Sequence, residues 1–173
     1  YSNPYLSPFD EMQRWKHHPL IANILKGGKR ISYGARALIT GGFNSLPKLT
    51  FAGGCLVGDD AGTLNYSKIK GSHTAMKSGM LAAEAVFGAI KAGRANDEVI
   101  EYTELFKNSW LYQELYSSRN FGSAMSRMGT FMGSGLNFVD QNLLKVPFTV
   151  RDTIPDYKKL DTAALSYKPD YPK

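Results

Sequence analysis

The sequence has a single cysteine, Cys55, among its 173 residues. One thiol cannot form a disulfide within the chain, and it cannot supply a cysteine cluster for a metal ion. Cys55 lies in the short apolar run 53–57, which predicts a buried strand and a small core thiol rather than a nucleophile. No apolar run approaches the roughly 20 residues that a membrane-spanning helix needs.

Charge of one sign is not concentrated anywhere in the chain. The net charge is +6, but the basic residues of segments 26–36 and 68–77 alternate with glycine and apolar residues. The sequence has no arginine-rich arm, zinc finger or heptad zipper, so we expect no nucleic-acid partner. A basic surface of this kind suits an acidic protein partner or an anionic lipid. A hydrophobic fraction of 43% and an aromatic fraction of 12% predict a globular protein with a real core.

Both ends of the sequence look like interior segments of a longer chain. The sequence opens at Tyr1 without an initiator methionine or a signal peptide, and it closes on the proline-containing stretch 167–173. We therefore expect an internal piece of a longer protein, with an extended strand or linker at its end.

Local signals predict two short helices at the beginning of the chain. Ser7 is suited to cap a helix, and Pro8 to occupy its first position. This helix runs toward Lys16 and ends before Pro19. A second helix covers residues 20–25 and stops at the glycine pair 27–28. Strands are predicted around residues 30–34, 48–51 and 55–57.

A long helix is predicted for residues 74–91, ending at Gly93. Apolar residues recur along it at helical spacing and form one stripe. The stripe comprises Met76, Met80, Ala83, Phe87 and Ile90. Small residues elsewhere on the helix, including Gly79, permit close packing on a sheet. A further helix, rich in aromatic residues, is predicted from about residue 96 to Ser117.

The stretch 56–84 carries the most informative chemistry, because an apolar strand, a Gly-Asp turn, an irregular loop and a helix follow in order. Asp59 at a strand end can accept hydrogen bonds from a polyol such as the ribityl chain of a flavin. Glycines allow close approach of backbone to a ligand. Amides at the helix start favour negative charge, which a reduced flavin carries at its N1–C2=O edge. The candidate cofactor-binding residues are Gly58, Asp59, Gly62, Gly71, Ser72 and His73. From these residues alone, a tight turn with a solvated aspartate is an equally good interpretation.

Several segments resemble one flavoprotein family. Residues 57–62 are similar to the second FAD-contacting Gly-Asp motif of Rossmann-type flavoproteins. The longer string 68–85, Lys-Ile-Lys-Gly-Ser-His-Thr-Ala-Met-Lys-Ser-Gly-Met-Leu-Ala-Ala-Glu-Ala, is more specific. It resembles the electron-transfer flavoprotein:ubiquinone oxidoreductases, relatives of the geranylgeranyl reductases. Segments 3–9, 13–19, 31–38, 105–110 and 114–116 resemble the same family, so the likeness is strong over residues 1–120.

The resemblance implies a membrane-associated enzyme of the mitochondrial inner membrane or the bacterial cytoplasmic membrane. Such an enzyme takes electrons from electron-transfer flavoprotein and delivers them to ubiquinone through FAD and one [4Fe–4S] cluster. The chain departs from this pattern because it lacks the G-x-G-x-x-G fingerprint and has one cysteine where a cluster needs four ligands. The resemblance therefore identifies no metal ligands and no catalytic residue here, and we expect this piece alone to be inactive.

The predicted fold class is α/β, comprising the carboxyl-terminal part of a Rossmann-like FAD-binding domain mixed with antiparallel strands and helices of a quinone-side domain. Residues 1–50 are assigned to the quinone side, 51–95 to the closing segment of the FAD-binding domain, and 96–173 to a helical extension. Alternative functions are a flavin-dependent reductase of the geranylgeranyl type and a non-catalytic protein-interaction module.

Segment 125–150 is rich in methionine and other apolar residues. It suits a membrane interface, with its apolar face down, and equally an amphipathic helix packed on the protein's own core. The neighbouring histidines His17 and His18 are interpreted as a helix end rather than a metal site. We also expect the chain alone to bind FAD weakly and to expose a sizeable apolar patch.

Overall fold

The computed structural model describes residues 2–171 and contains two compact units. One unit combines the beginning of the chain up to Ala35 with the segment from Thr153 onward, and the other comprises Arg36–Asp152. Of the predicted chain ends, Tyr1, Pro172 and Lys173 lie outside the described residues. The predicted division at residues 50 and 95 stays a prediction.

The first unit contains the two predicted helices, α1 (Pro8–Lys16) and α2 (Pro19–Leu25). The Ser7 hydroxyl caps α1 by accepting from the Asp10 amide at 3.3 Å, as the sequence predicts. Helix α1 ends before Pro19, as predicted, and Pro19 occupies the first turn of α2. Neither helix has a buried residue. The tail reaches the start of α1, where the Tyr171 hydroxyl donates to Glu11 Oε1 at 2.9 Å.

The second unit is built on four helices and one short hairpin. Strands β1 (Thr50–Phe51) and β2 (Gly54–Cys55) pair antiparallel, with Thr50 opposite Cys55. The helices are α3 (Ser72–Lys91), α4 (Ile100–Lys107), α5 (Trp110–Ser117) and α6 (Phe121–Phe138). A 3₁₀ turn precedes the hairpin at Phe43–Ser45, and another comes after it at Gly58–Ala61.

Four sequence-based predictions of elements are wrong. The strand predicted at 48–51 is limited to Thr50–Phe51. Residues 30–34 form no strand, because the described residues provide no partner strand for them. The strand predicted at 55–57 is shifted to Gly54–Cys55, and Cys55 is half-buried. The helix predicted from residue 96 to Ser117 is two helices, since the Ser109 hydroxyl starts α5 by accepting from the Tyr112 amide at 3.4 Å.

The core of the second unit is formed where α3, α4 and α5 meet. Its largest fully buried side chains are Tyr102 and Phe106 of α4 and Leu111 and Leu115 of α5. The small residues of α3 allow this close packing, so they contact helices and the 58–61 turn rather than a sheet. The Rossmann-like assignment stays a prediction, because the regular strands within residues 2–171 are the two of the hairpin.

Helix α6 folds back on itself at Gly129, whose φ of 72° departs from helical geometry. A Cβ added at Gly133 would lie 2.7 Å from the Ala124 carbonyl oxygen, so the two halves touch through backbone. The Asn137 side-chain amide donates to the Phe121 carbonyl at 3.1 Å. A π-helical turn, Val139–Leu143, extends α6. None of the described helices is long and apolar enough to cross a membrane.

Candidate cofactor site

The Gly-Asp turn lies directly against the first turns of α3. Gly58 has a φ of +62° and is buried, and its amide donates to the Ser78 hydroxyl at 2.8 Å. A Cβ added at Gly58 would contact the Ala75 Cβ at 3.4 Å. Thr63 closes the turn from the other side by donating its hydroxyl to the Gly58 carbonyl at 2.9 Å. Glycine is therefore required here both for the backbone conformation and for the approach to α3.

Asp59 faces the segment that precedes β1. Its two carboxylate oxygens accept from the Ile39 amide at 3.3 and 3.4 Å. Gly62 ends the turn with a φ of +75°, and a Cβ added there would lie 3.5 Å from the Ile39 side chain. The neighbouring Asp60 is exposed, so the two carboxylates do not act as a pair. A half-buried carboxylate of this kind has the capacity to accept further hydrogen bonds.

The amino end of α3 offers unpaired donors. The first backbone hydrogen bond of the helix joins the Ala75 amide to the Gly71 carbonyl at 2.8 Å. The preceding amides of Ser72, His73 and Thr74 have no partner within the helix, and no side chain among the described residues caps them. Their N–H groups and the dipole of a 20-residue helix favour negative charge at this end.

The side chain of His73 turns toward α5. Its Nε2 lies 3.0 Å from Glu114 Oε1, and its ring is parallel to that of Trp110 at a centroid distance of 5.8 Å. Glu114 also accepts from the Asn65 side-chain amide at 2.7 Å. The imidazole is therefore held by α5, and His73 offers its backbone amide to the amino end of α3.

The structure thus brings the predicted residues together in two groups. Gly71, Ser72 and His73 begin α3, and Gly58 touches its first two turns. Asp59 and Gly62 form the same turn as Gly58 but contact Ile39. All of these contacts are within the chain, so the role of the six residues in binding a flavin stays a prediction.

Sequence reasoning missed Ser78, Asn65 and Glu114. A serine in the interior of a helix is a weak signal, and Ser78 is fully buried against the Gly58 turn. Glu114 is 41 residues from His73, so no local pattern connects them.

The remaining candidates have structural positions. His17 ends α1, as predicted, and its Nδ1 lies 2.9 Å from the Gln13 carbonyl oxygen. Within residues 2–171, no group of histidine, cysteine, aspartate and glutamate side chains could hold a metal ion. Near Cys55, the buried Tyr102 hydroxyl donates to the Leu56 carbonyl at 3.1 Å, and burial raises the pKa of Tyr102 to about 12.

Comparison with known proteins identifies close relatives. The sequence profile of the family described as "ETF-QO, ubiquinone-binding" matches residues 1–38. The whole chain aligns at 58% identity with electron transfer flavoprotein-ubiquinone oxidoreductase of Pseudomonas aeruginosa, covering 32% of that protein. A probable enzyme of the same name from Acinetobacter baylyi is also 58% identical, with 34% of it covered. The mitochondrial protein of Homo sapiens is 47% identical, with 29% covered. The chain therefore spans about a third of the length of these curated relatives.

Proposed function

We propose that the chain belongs to the electron transfer flavoprotein-ubiquinone oxidoreductase family and that it supplies part of the flavin site and of the quinone side of such an enzyme. The complete protein would pass electrons from reduced electron-transfer flavoprotein to ubiquinone. The observation that carries this proposal is the identity of 58% along the whole chain, combined with unpaired amides at the start of α3.

The described residues fit one side of an FAD site. The uncapped amides of Ser72 and His73 would face the edge of the flavin on which reduction places negative charge. Gly58 keeps the turn close to α3, and Asp59 would accept hydrogen bonds from the ribityl hydroxyls. FAD would supply the redox chemistry, whereas these residues supply position and electrostatics.

The [4Fe–4S] cluster implied by the family does not fit this chain. A cluster of that type is held by four cysteine thiolates, and Cys55 is the single cysteine. The ligands would therefore come from outside these 173 residues. No electron-transfer step is assigned to the chain through the cluster.

The quinone side is assigned to the first unit, because the ubiquinone-binding profile matches residues 1–38. Helices α1 and α2 expose large apolar side chains, namely Phe9, Met12, Trp15, Leu20 and Ile24, at 50–78% of their area. An apolar surface of this kind suits a prenylated quinone or the wall of its pocket.

Peripheral membrane contact is assigned to the bend of α6 and to the π-helical turn at its end. Phe131 is 93% exposed and Met132 67% exposed next to the Gly129 bend, and Leu143 and Leu144 are exposed at 65% and 71%. The polar residues Asn137 and Asp140 are buried instead. Exposed apolar tips above a polar interior are typical of interfacial membrane contact. The relatives include mitochondrial and bacterial proteins, which suits a location at an energy-transducing membrane.

The flavin proposal is tested with two adjacent carboxylates in the complete protein that contains this chain. We expect Asp59→Ala to lower the flavin content of the purified protein, measured by absorbance after denaturation. Asp59→Asn retains an acceptor for the Ile39 amide and controls for the fold. Asp60→Ala is the matched control, because Asp60 is exposed. Equal flavin content in all of these variants, at wild-type stoichiometry, would contradict the assignment of Asp59.

The membrane assignment is tested by sedimentation of the complete protein with phosphatidylcholine vesicles. We expect Phe131→Ser to reduce the bound fraction severalfold, because a single exposed aromatic contributes about 1.5–3 kcal/mol when it is fully buried in an apolar phase. Leu165→Ser is the control, since Leu165 is 85% exposed in the other unit. Equal losses from the two substitutions would refute a specific role for the α6 bend.

A further inference from the structure

A single carboxylate on α5 collects hydrogen bonds from the loop before α3 and from α3 itself. Glu114 Oε1 accepts from Asn65 Nδ2 at 2.7 Å and from Lys68 Nζ at 3.4 Å, and it lies 3.0 Å from His73 Nε2. The Glu114 side chain is 18% exposed. All three partners belong to residues 65–73, which lead from the Gly58 turn into the first turn of α3.

Glu114 is ionised at neutral pH. Burial acts to raise the pKa of Glu114, but the hydrogen bonds from Asn65 and His73 and the charge of Lys68 outweigh it and lower the pKa below its ordinary value. An ionised carboxylate only accepts hydrogen bonds, so His73 Nε2 carries a hydrogen and donates it to Glu114. The contact therefore fixes the tautomer and the orientation of the imidazole.

The same helix clamps the His73 ring from a second side. Trp110 is one helical turn before Glu114, so both side chains lie on the same face of α5. The Trp110 and His73 rings are 3° from parallel. Leu111 and Leu115, at 0% and 1% exposure, anchor α5 in the core. Because α5 is anchored in the core, the groups that contact His73 are held on a fixed helix.

The contact between Asn65 and Glu114 also holds the loop that contains Asn65. It is 1% exposed, and its Oδ1 accepts from the Ser67 hydroxyl at 2.8 Å. Its backbone pairs with Lys70 through two hydrogen bonds of 3.1 and 3.2 Å, which close the loop on itself. Since the side-chain amide of Asn65 donates to Glu114, the closed loop and the start of α3 share one anchor.

We propose that Glu114 is a positioning residue for the flavin, acting through His73 and Asn65 to fix the amino end of α3. The proposal rests on the proposed flavin site. Lys68 contributes little to the tie, because its side chain is 58% exposed and surface ion pairs are weak. The buried Asn65 contact and the clamped His73 carry the effect. When Glu114 is removed, the amides of Ser72 and His73 move and stabilise the reduced, anionic flavin less well.

The sign of the change in flavin reduction potential separates this role from simple electrostatics. Removing a negative charge near a flavin, with nothing displaced, would raise the potential. Displacing the amides lowers it, because their N–H groups stabilise the negative charge of the reduced flavin. A lower potential in a Glu114 variant is therefore expected from positioning and not from loss of charge alone.

The experiment uses the complete flavin-loaded protein with Glu114→Gln and Glu114→Leu. We expect Glu114→Leu to lower the ratio of reduced to oxidised flavin about tenfold at a fixed potential, or about 30 mV for a two-electron couple. Glu114→Gln keeps one acceptor and is expected to shift the ratio less. Glu104→Gln is the matched control, since Glu104 is an exposed carboxylate on α4 paired with Lys107.

Trypsin cleavage after Lys68 and Lys70 provides a readout that needs no flavin. We expect Glu114→Leu to accelerate this cleavage severalfold, because the loop loses its anchor. An unchanged or higher flavin potential, or unchanged cleavage, would overturn the proposal. If the wild-type protein binds no flavin, the proposed function fails, while the cleavage rate still reports on the anchor.

A double-mutant cycle covers the case in which Glu114→Leu does not fold. Glu114→Ala and His73→Gln should each lower the potential, and the double variant should lower it no further than the larger single effect, because both act through one contact. Additive shifts would show that the two residues act separately and would refute the proposal.

Discussion

Helix α3 has two faces with opposite environments. One face consists of small or medium residues and is buried, namely Thr74, Ser78, Leu81, Ala82, Ala85 and Ala89. The other carries large side chains that are 56–64% exposed, namely Met76, Met80, Phe87 and Ile90. Small residues allow α4 and the Gly58 turn to approach, so they are covered by this chain. The large side chains are not covered by any part of the chain that the structure describes.

The difference teaches that hydrophobicity alone does not decide which face a chain covers. The exposed stripe carries the larger apolar side chains, and exposed apolar patches are typical of interaction sites in general. Its exposure agrees with the expectation of a sizeable apolar patch. Substitutions on each face test the two faces against each other.

The largest effect is expected from Leu81→Ala on the buried face. Leu81 is 4% exposed, and removing its side chain leaves a cavity between α3 and the core. We expect the free energy of unfolding of the chain to fall by about 2–5 kcal/mol, measured by urea denaturation. Met80→Ala, one residue away on the exposed face, is the control. Similar losses for both variants would show that the two faces are not distinct in the chain.

A smaller effect is expected from Ser78→Ala, which removes the acceptor of the Gly58 amide. A buried donor left without a partner costs about 1–3 kcal/mol. We expect a loss at the lower end of that range, together with faster hydrogen exchange of the Gly58 amide. Unchanged exchange at Gly58 would show that the turn is held against α3 by other contacts.

The features of this architecture that the sequence predicts are local ones. The cap of α1 and the span of α3 are encoded by Ser7, by apolar spacing and by Gly93, all within a few residues of the boundary. Ser109 is also a local signal. A serine is a favourable helix cap, so it predicts the boundary between α4 and α5. Residues 30–34 look like a strand because β-branched and aromatic residues recur there, but a strand forms only with a partner.

The candidate site also combines local features, which the sequence predicts, with a long-range contact, which it does not. Gly58, Gly62 and Gly71 are predictable because positive φ angles and close approach demand glycine at the first two, and a Cβ added at Gly71 would lie 3.0 Å from the Leu64 side chain. Glu114 and Asn65 are 49 residues apart, and their contact depends on where α5 packs. No spacing rule reaches that far, so the anchor of α3 is visible only in three dimensions.

A mixed effect is expected from Gly79→Leu, which lies between the two faces. A Cβ added at Gly79 meets no atom of the described chain within 4 Å, so the substitution should stabilise the chain by up to about 1 kcal/mol. In the complete protein we expect lower flavin occupancy or a lower flavin potential where another part of that protein covers Gly79, because the leucine would then push α3 away from it. Gly88→Leu is the control, since Gly88 is equally open in the same helix. The same flavin content and potential in both variants would show that Gly79 faces solvent.

The smallest effect in the chain is expected from Met80→Ser on the exposed face. Met80 is 56% exposed, so its replacement should change the free energy of unfolding of the chain by no more than about 0.5 kcal/mol. The same substitution in the complete protein tests whether another part of that protein covers the stripe. Such a part is expected, because the chain spans only 32% of a relative with which it shares 58% identity. If another part of that protein covers the stripe, Met80→Ser should cost about 1.5–3 kcal/mol there, the value of burying a methionine side chain. The same small effect in both contexts would show that the stripe stays in solvent, and α3 would then be held through its buried, small-residue face alone.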